Sequence, residues 1–494
     1  MTTQIPGTTQ LKAPTKSISQ WLPISLIMGT AAALFMFRLG DEGFWIDELF
    51  SIRDADQSLI DVYQSTQFRP LYYLLLSGWM RLGSGDAWLR SLSVIFAVIA
   101  VFLIYRLGRR IAGETEGLIA AALLSTSPLF VNHAQEVRMY ALSLCMGLAG
   151  TLFLADALLS DRTQQPKQKT IAGWALFRLL AIYTVPLNLM LLIPDGLLIL
   201  LRFRQERRVL IKFAGWLTLL LVLWLPAIAT LLGDIQPSSD YAQERTQFAE
   251  APGLKNLIYP LKFWMVWPFV TRHGWVTHNL YKFFTPVIAG LIGAGLLYKR
   301  KLPSLPWACA WLVLPLIPII VFSLVSARIW EPRYVLFVSP YLFILIAAGF
   351  ARIWRDWKGA AIVLTVVYVL LVGGALGDYY VVQNRGDYRD NIATVEAYEQ
   401  PGDGLVWGYG WKIPLDYYYD GSADISWQPS RDLETPEAIQ AWVDKFPTGH
   451  QRLWLVIEKA KVANQLDPLI ADSYSITQRF DYGHKSSVLL LTAK

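Results

Sequence analysis

The sequence predicts an α-helical polytopic membrane protein that carries a small α/β domain at its C-terminal end. Three observations predict it. Apolar runs recur between residues 21 and 377, and a spanning helix needs about 20 mostly apolar residues. The Lys and Arg residues between these runs fall on alternate loops, as the positive-inside rule requires. Near residue 378 the composition changes: Asp378 to Lys494 holds 17 acidic and 11 basic residues, whereas the whole chain is +6 and residues 1–377 therefore carry +12. Only 17% of the chain is charged against 54% hydrophobic, well below the roughly 25% charge of soluble domains.

Residues 1–20 are polar and form a cytoplasmic N-terminus. The run 21–38 lacks a small-residue cleavage site and reads as an uncleaved first span. An acidic outside loop, 39–86, follows, with Asp41, Glu42, Asp47, Glu48, Asp54, Asp56 and Asp61. Its stretch Leu71–Leu76 is amphipathic and suits the membrane interface. Ten further spans are expected at 87–106, 115–132, 138–158, 171–186, 188–203, 211–232, 278–298, 305–325, 334–351 and 359–377. The fifth and sixth are separated only by a turn near Pro186 and Asn188. With the N-terminus inside, Arg106, Arg109 and Arg110, then Arg162, Lys167 and Lys169, then Arg202 to Lys212, Lys299 to Lys301, and Arg352, Arg355 and Lys358 all lie in cytoplasmic loops. Eleven spans put the tail outside, and the basic balance is assigned to topology rather than to a nucleic-acid partner. Trp264, Trp267 and Trp275, near the end of the long outside loop 233–277, read as an aromatic belt.

The tail, 378–494, alternates helices and strands. Helices are expected over Asp387–Gln400, Trp411–Tyr419 and Pro436–Lys445, and strands over Gly404–Trp407, Leu453–Glu458 and Val488–Thr492, which argues for a layered α/β unit. It holds no Gly-rich phosphate loop and so is not read as a nucleotide-binding domain. Cys145 and Cys309 lie in apolar runs and behave as small buried hydrophobes.

Four stretches can carry chemistry, and all fall on the outside face. Asp47 and Glu48, beside Phe44 and Trp45, offer paired carboxylates for a general base or a metal; the bland alternative is solvated loop charge. Gln135-Glu136-Val137-Arg138-Met139-Tyr140 sits in a very short turn at membrane depth, where ionisable groups are costly and face the interior or a cavity; the alternative is a local Glu136–Arg138 pair or a helix cap. Arg333 in Glu331-Pro332-Arg333-Tyr334 suits a phosphate or carboxylate, or snorkels at the interface. Arg69, in Phe68-Arg69-Pro70-Leu71-Tyr72-Tyr73, is the fourth. Carboxylates and guanidiniums near one lipid–water boundary suit a substrate with an anionic head and a long tail.

These stretches together resemble the C-type membrane glycosyltransferases, in particular glycosyltransferase family 39, the group of protein O-mannosyltransferases and aminoarabinose transferases. The resemblance covers the core, 21–377, and Asp387-Tyr388-Arg389 with Pro401-Gly402-Asp403 extends it to the small outside domain of bacterial members. It implies a C-type fold and transfer of a sugar from a polyprenyl-phosphate donor to an acceptor on the outer face of the cytoplasmic membrane. On the matching positions, Asp47 is the expected general base, Glu48 its support or an acceptor contact, and Glu136 the second acidic position. Arg138, Arg333 and Arg69 are the expected phosphate contacts, and Trp45, Tyr72, Tyr140 and Glu331 the expected substrate contacts. Many relatives have His-Pro-Pro-Leu-Tyr-Tyr where this chain has Phe68 to Tyr73, which weakens the case for a metal there. Asp47 and Glu48 can still hold a divalent ion, though no His completes a site. Two other readings stand beside this one. A transporter or lipid flippase needs repeated halves and midplane charges; only Asp195, between Pro194 and Gly196, qualifies. A tail acting as a binding module on a membrane anchor does not need so many spans. The sugar and the acceptor, whether lipid, glycan or protein, are left open.

Overall fold

A computed structural model describes residues 21–66, 69–160, 165–234, 260, 264–265, 275–297, 304–325, 329–381, 385–430, 433, 435–482 and 486–494. Residues 1–20, Phe68 and most of the loop 233–277, with Trp267, lie outside the described residues.

The chain begins with α1 (Leu22–Met36), and the first loop folds into α2 (Ile46–Ala55), α3 (Leu59–Ser65) and α4 (Pro70–Met80). Then come α5 (Asp86–Ile111), α6 (Glu114–Thr126), α7 (Pro128–Ala134), α8 (Tyr140–Leu158), α9 (Gln168–Thr184) and, after a 3-10 turn at Pro186–Leu191, α10 (Leu192–Phe203). The core closes with α11 (Arg207–Asp234), α12 (Trp275–Leu296), α13 (Leu305–Val313), α14 (Leu316–Val325), α15 (Ser339–Asp356) and α16 (Lys358–Val381). Each predicted span overlies one of these helices or, for 115–132 and 305–325, a pair of them. By length and apolarity, seven helical stretches among the described residues can cross a membrane, and α6 with α7 makes an eighth. α1 and residues 285–296 of α12 are apolar but shorter.

Two predicted spans are broken, each at a proline. Pro128 opens α7 after a 65° bend from α6. Pro has no N–H to continue the ladder, and Ser127 caps the new start by accepting from the Phe130 amide. Pro315 separates α13 from α14. α8 and α15 are central: 78% and 83% of their spanning windows are buried, against 22% for α11 and α16. Close packing there needs small residues. A Cβ at Gly349 of α15 would collide with the Leu291 carbonyl of α12.

Asp195 belongs to a buried polar network rather than to a transport path. Arg178 reaches it through Nε (2.6 Å) and Nη2 (3.0 Å). Trp174 and Trp311 donate their indole N–H groups to the same carboxylate at 2.8 and 2.9 Å. Arg178 also donates to the Gly147 carbonyl and to Thr151, whose hydroxyl meets that of Tyr341. Both charged groups are fully buried and paired, so the network ties α8, α9, α10, α13 and α15 together.

The tail contains α17 (Tyr388–Tyr398), β1 (Gly404–Trp407), α18 (Ile413–Tyr418), β2 (Asp424–Trp427), α19 (Pro436–Val443), β3 (Arg452–Ile457), the short α20 (Ala460–Ala463) and α21 (Asp467–Ile470), β4 (Tyr474–Tyr482) and β5 (Ser486–Ala493). The sheet order is β2-β1-β3-β5-β4. β1 is parallel to β2 and β3, and β5 is antiparallel to β3 and β4. Val406, Leu453 and Leu455 pack with Ile439 and Trp442 on one face. Leu405, Trp407 and Trp454 pack with Ile392 and Leu415 on the other. β2 and β4 were not anticipated in the sequence: β2 is an exposed edge, and β4 alternates partly buried with exposed residues over most of its length.

Candidate active site

The candidate residues converge around the first turn of α2, on the face that also carries the tail. Trp45 caps α2, with its amide donating to Glu48 Oε2 at 3.2 Å in a capping box. That geometry turns Asp47 and Glu48 to different partners.

Asp47 faces two arginines. Arg333 Nη1 lies 3.3 Å and Arg138 Nη2 3.5 Å from its Oδ2. Arg138 is held independently, since its Nη1 donates to the Asp47 carbonyl (2.9 Å) and to Ser51 (3.1 Å). The Asp47 and Arg333 side chains keep 28% and 33% of their exposure, while Arg138 keeps 11%. A ligand can therefore reach the carboxylate and Arg333. One carboxylate between two guanidiniums leaves the spot one positive charge in excess, which attracts an anion at short range. Arg333 lies over the Tyr334 ring and Arg138 over the Tyr140 ring, at 5.1 and 5.9 Å. The Tyr140 hydroxyl has no hydrogen-bond partner among the described residues. Glu331 sits two residues before Arg333, partly buried, its carbonyl accepting from the Tyr334 and Val335 amides.

Glu48 is fully buried and fully used. It takes Arg90 Nε (2.9 Å), Arg90 Nη2 (2.8 Å), the Val137 amide (2.8 Å) and the Trp45 amide. It therefore cannot touch an acceptor, which corrects that part of the expectation. It also has no free oxygen to share a divalent ion with Asp47. Among the described residues no group of three or more His, Cys, Asp or Glu converges on a metal position.

Arg90 went unnoticed in the sequence, although a charge inside an apolar span is itself a signal. Its remaining donors reach the carbonyls of Leu39 (2.9 Å), Glu42 (2.7 Å) and Gly43 (3.0 Å). All five N–H groups of the guanidinium are satisfied within one loop.

Glu136 does not pair with Arg138. Asn132 donates to its Oε1 and His133 Nδ1 meets its Oε2, both at 2.7 Å. Burial pushes the Glu136 carboxyl up, but the charge and hydrogen bond of His133, the charge of Arg385 and the Asn132 bond outweigh it and bring the pKa down to about 2. Gln135 ties α1 to α16: its Nε2 donates to the Phe35 and Phe37 carbonyls, and its Oε1 accepts from Tyr379. Tyr72 is also corrected. It is fully buried with its hydroxyl 3.1 Å from Ser93, so it packs the base of the site rather than facing a substrate. The Arg69 guanidinium lies 5.7 Å from the Tyr73 ring centroid.

A second feature lies in the membrane core. An apolar groove of about 410 Å³ runs between α6, α12, α15 and α16, with Thr126 and Met265 among its lining residues. Beside them Ser127 donates to the Trp264 carbonyl, and Trp264 donates to the Pro332 carbonyl next to Arg333.

The chain is similar to known proteins over both parts. The family model for dolichyl-phosphate-mannose-protein mannosyltransferases matches residues 68–231. ArnT from Cupriavidus metallidurans, solved with undecaprenyl phosphate bound, superposes with a TM-score of 0.59 at 13% identity, covering 96% of this chain and 98% of that one. The oligosaccharyltransferase from Archaeoglobus fulgidus, tethered to an acceptor peptide, gives 0.52 at 12% identity, over 96% of this chain and 74% of that one. No curated protein matches the sequence significantly. These likenesses give the chain the C-type glycosyltransferase fold, a helical membrane core with a small C-terminal sheet domain.

Proposed function

We propose that the protein is an inverting glycosyltransferase that moves a pentose or hexose from a polyprenyl-phosphate donor to an acceptor on the outer face of the cytoplasmic membrane. The observation that carries this reading is the placement of one reachable carboxylate, Asp47, against Arg138 and Arg333. The acceptor hydroxyl gives its proton to Asp47 as its oxygen attacks the anomeric carbon. The bond from that carbon to the phosphate oxygen breaks, and the polyprenyl phosphate leaves with the electron pair. Arg333 and Arg138 stabilise the departing anion, as fixed donors do best in a dry site. A single displacement inverts the anomeric configuration.

Two further features support it. The apolar groove lined by Thr126 and Met265 suits an isoprenoid chain, and Met265 follows Trp264, which bonds the Pro332 carbonyl beside Arg333. The fold is shared with a protein solved with undecaprenyl phosphate. A transporter reading loses its main support, because Asp195 is fully paired with Arg178.

The test uses purified protein in lipid nanodiscs. Undecaprenyl phosphate is expected to raise the unfolding temperature, undecaprenol not, and Arg333→Ala to weaken the phosphate-dependent binding about tenfold or more. Asp47→Asn is expected to keep this lipid binding and to lower sugar transfer into acceptor-containing membranes by about 10²-fold or more. Equal binding of undecaprenol, or wild-type transfer by Asp47→Asn, defeats the proposal.

A further inference from the structure

The segment Leu39–Phe44 leads into α2 without regular structure of its own, yet nearly every backbone carbonyl in it is held. Arg90, from α5, takes those of Leu39, Glu42 and Gly43. The two between, Gly40 and Asp41, are taken by Arg389 of α17, through Nη1 at 3.2 Å and through Nη2 respectively. Arg389 Nη1 is anchored at 2.7 Å on Asp86, the first residue of α5. The Phe44 amide donates to the Tyr418 hydroxyl of α18 at 2.7 Å. Arg385, just before α17, donates its amide to Glu42 and its Nη2 to the Gln135 carbonyl, and its Nε lies 3.7 Å from Glu48.

Packing makes the same contact independently of these bonds. A Cβ at Gly43 would lie 2.8 Å from the Arg389 Cβ, so the loop and the tail touch where only glycine fits. The Phe44 ring packs on Tyr417 and Tyr418, and Phe50 of α2 packs edge-on against Trp411. Two surfaces thus grip one strip of chain, the core through Arg90 and the tail through Arg389 and Tyr418. Three residues beyond the strip is Asp47.

We infer that the C-terminal domain positions the reactive carboxylate, with Arg389 and Tyr418 as positioning residues that fix the loop entering α2. This rests on the proposed role of Asp47 as the base. The energetic logic is that of preorganisation. A loop whose peptide groups are bonded to rigid partners cannot wander, and a displacement of about 1 Å at a reacting group costs on the order of 10²-fold in rate. Arg389 and Tyr418 touch neither Arg138 nor Arg333 through any of these bonds, so their loss acts on placement of the carboxylate and not on retention of the lipid phosphate.

The experiment compares the full-length protein with Arg389→Ala/Tyr418→Phe, with Gly43→Ala, and with Arg452→Ala, whose side chain bonds only within the tail, to Tyr398 and Asp403. Hydrogen exchange is read over residues 39–50, and transfer is resolved into kcat and KM for the lipid donor. The expected result for the first two is exchange faster by about tenfold or more in that segment. Their kcat is expected to fall about tenfold or more while KM for the donor moves by less than about threefold. Arg452→Ala is expected to match wild type in both. Unchanged exchange overturns the clamp, and faster exchange with unchanged kcat overturns the positioning role. If wild-type protein transfers no sugar, the catalytic reading fails while the exchange measurement still decides whether the tail holds the loop.

Discussion

The adjacent carboxylates Asp47 and Glu48 differ in role because α2 starts between them and their partners. Asp47 keeps a path to solvent, while Glu48 is sealed by four hydrogen bonds, two from Arg90 and one each from the Val137 and Trp45 amides. Removing one partner of a buried pair strands the other, at a cost of about 3–5 kcal/mol. Arg90→Ala is therefore expected to lower the unfolding temperature strongly. Glu48→Met with Arg90→Met should cost less than the two single changes added, a comparison that a double-mutant cycle by thermal unfolding makes directly. Glu136 gives a pH signature. Its folded pKa, about 2, lies below its ordinary value of 4.5, so the native state gains from its ionisation above pH 4.5 and loses that gain as pH falls toward 2. The stability gap between wild type and Glu136→Gln should narrow from pH 6 to pH 3; a constant gap excludes this linkage. At this scale the sequence singled out Asp47, Glu48, Arg138 and Arg333, and the structure sets Asp47 beside both arginines. The sequence missed what distinguishes the two carboxylates, because the distinction comes from Arg90, 42 residues away from Glu48.

Among the elements, the fifth and sixth predicted spans are separated only by a turn, and each carries a charge within its apolar run. α9 carries Arg178 and α10 carries Asp195, charges that dilute apolarity in each helix and cancel when the two pack. Apolar periodicity reads one helix at a time and has no access to such pairing. Asp195→Ala should leave Arg178 buried without a counter-ion and destabilise the fold by about 3–5 kcal/mol. The fraction that still folds, isolated by size exclusion, should retain its transfer rate, since the network contains no residue of the Asp47 cluster. A rate loss in that fraction would tie the network to the site. The tail's β1, β3 and β5 were readable as continuous apolar runs. β2 was not, since it is a four-residue exposed edge defined by pairing with β1 rather than by its own composition.

For the whole molecule, the alternating loop charges predict that the tail and the Asp47 loop face away from the cytoplasm. With Cys145 and Cys309 replaced, Ser475→Cys in the tail should react with a membrane-impermeant maleimide on intact cells. Arg106→Cys should react only after permeabilisation; the reverse pattern inverts the topology. The contact between Phe44 and Tyr418 spans 374 residues of chain. The loop bearing Asp47 leaves the ribosome well before the Tyr418 hydroxyl and the Arg389 guanidinium that hold it. The core helices can therefore be made before the loop has the tail partners that the proposed positioning role requires. If the positioning role holds, a chain cut after α16 should keep its membrane helices and both flanking arginines while its transfer rate falls about tenfold or more.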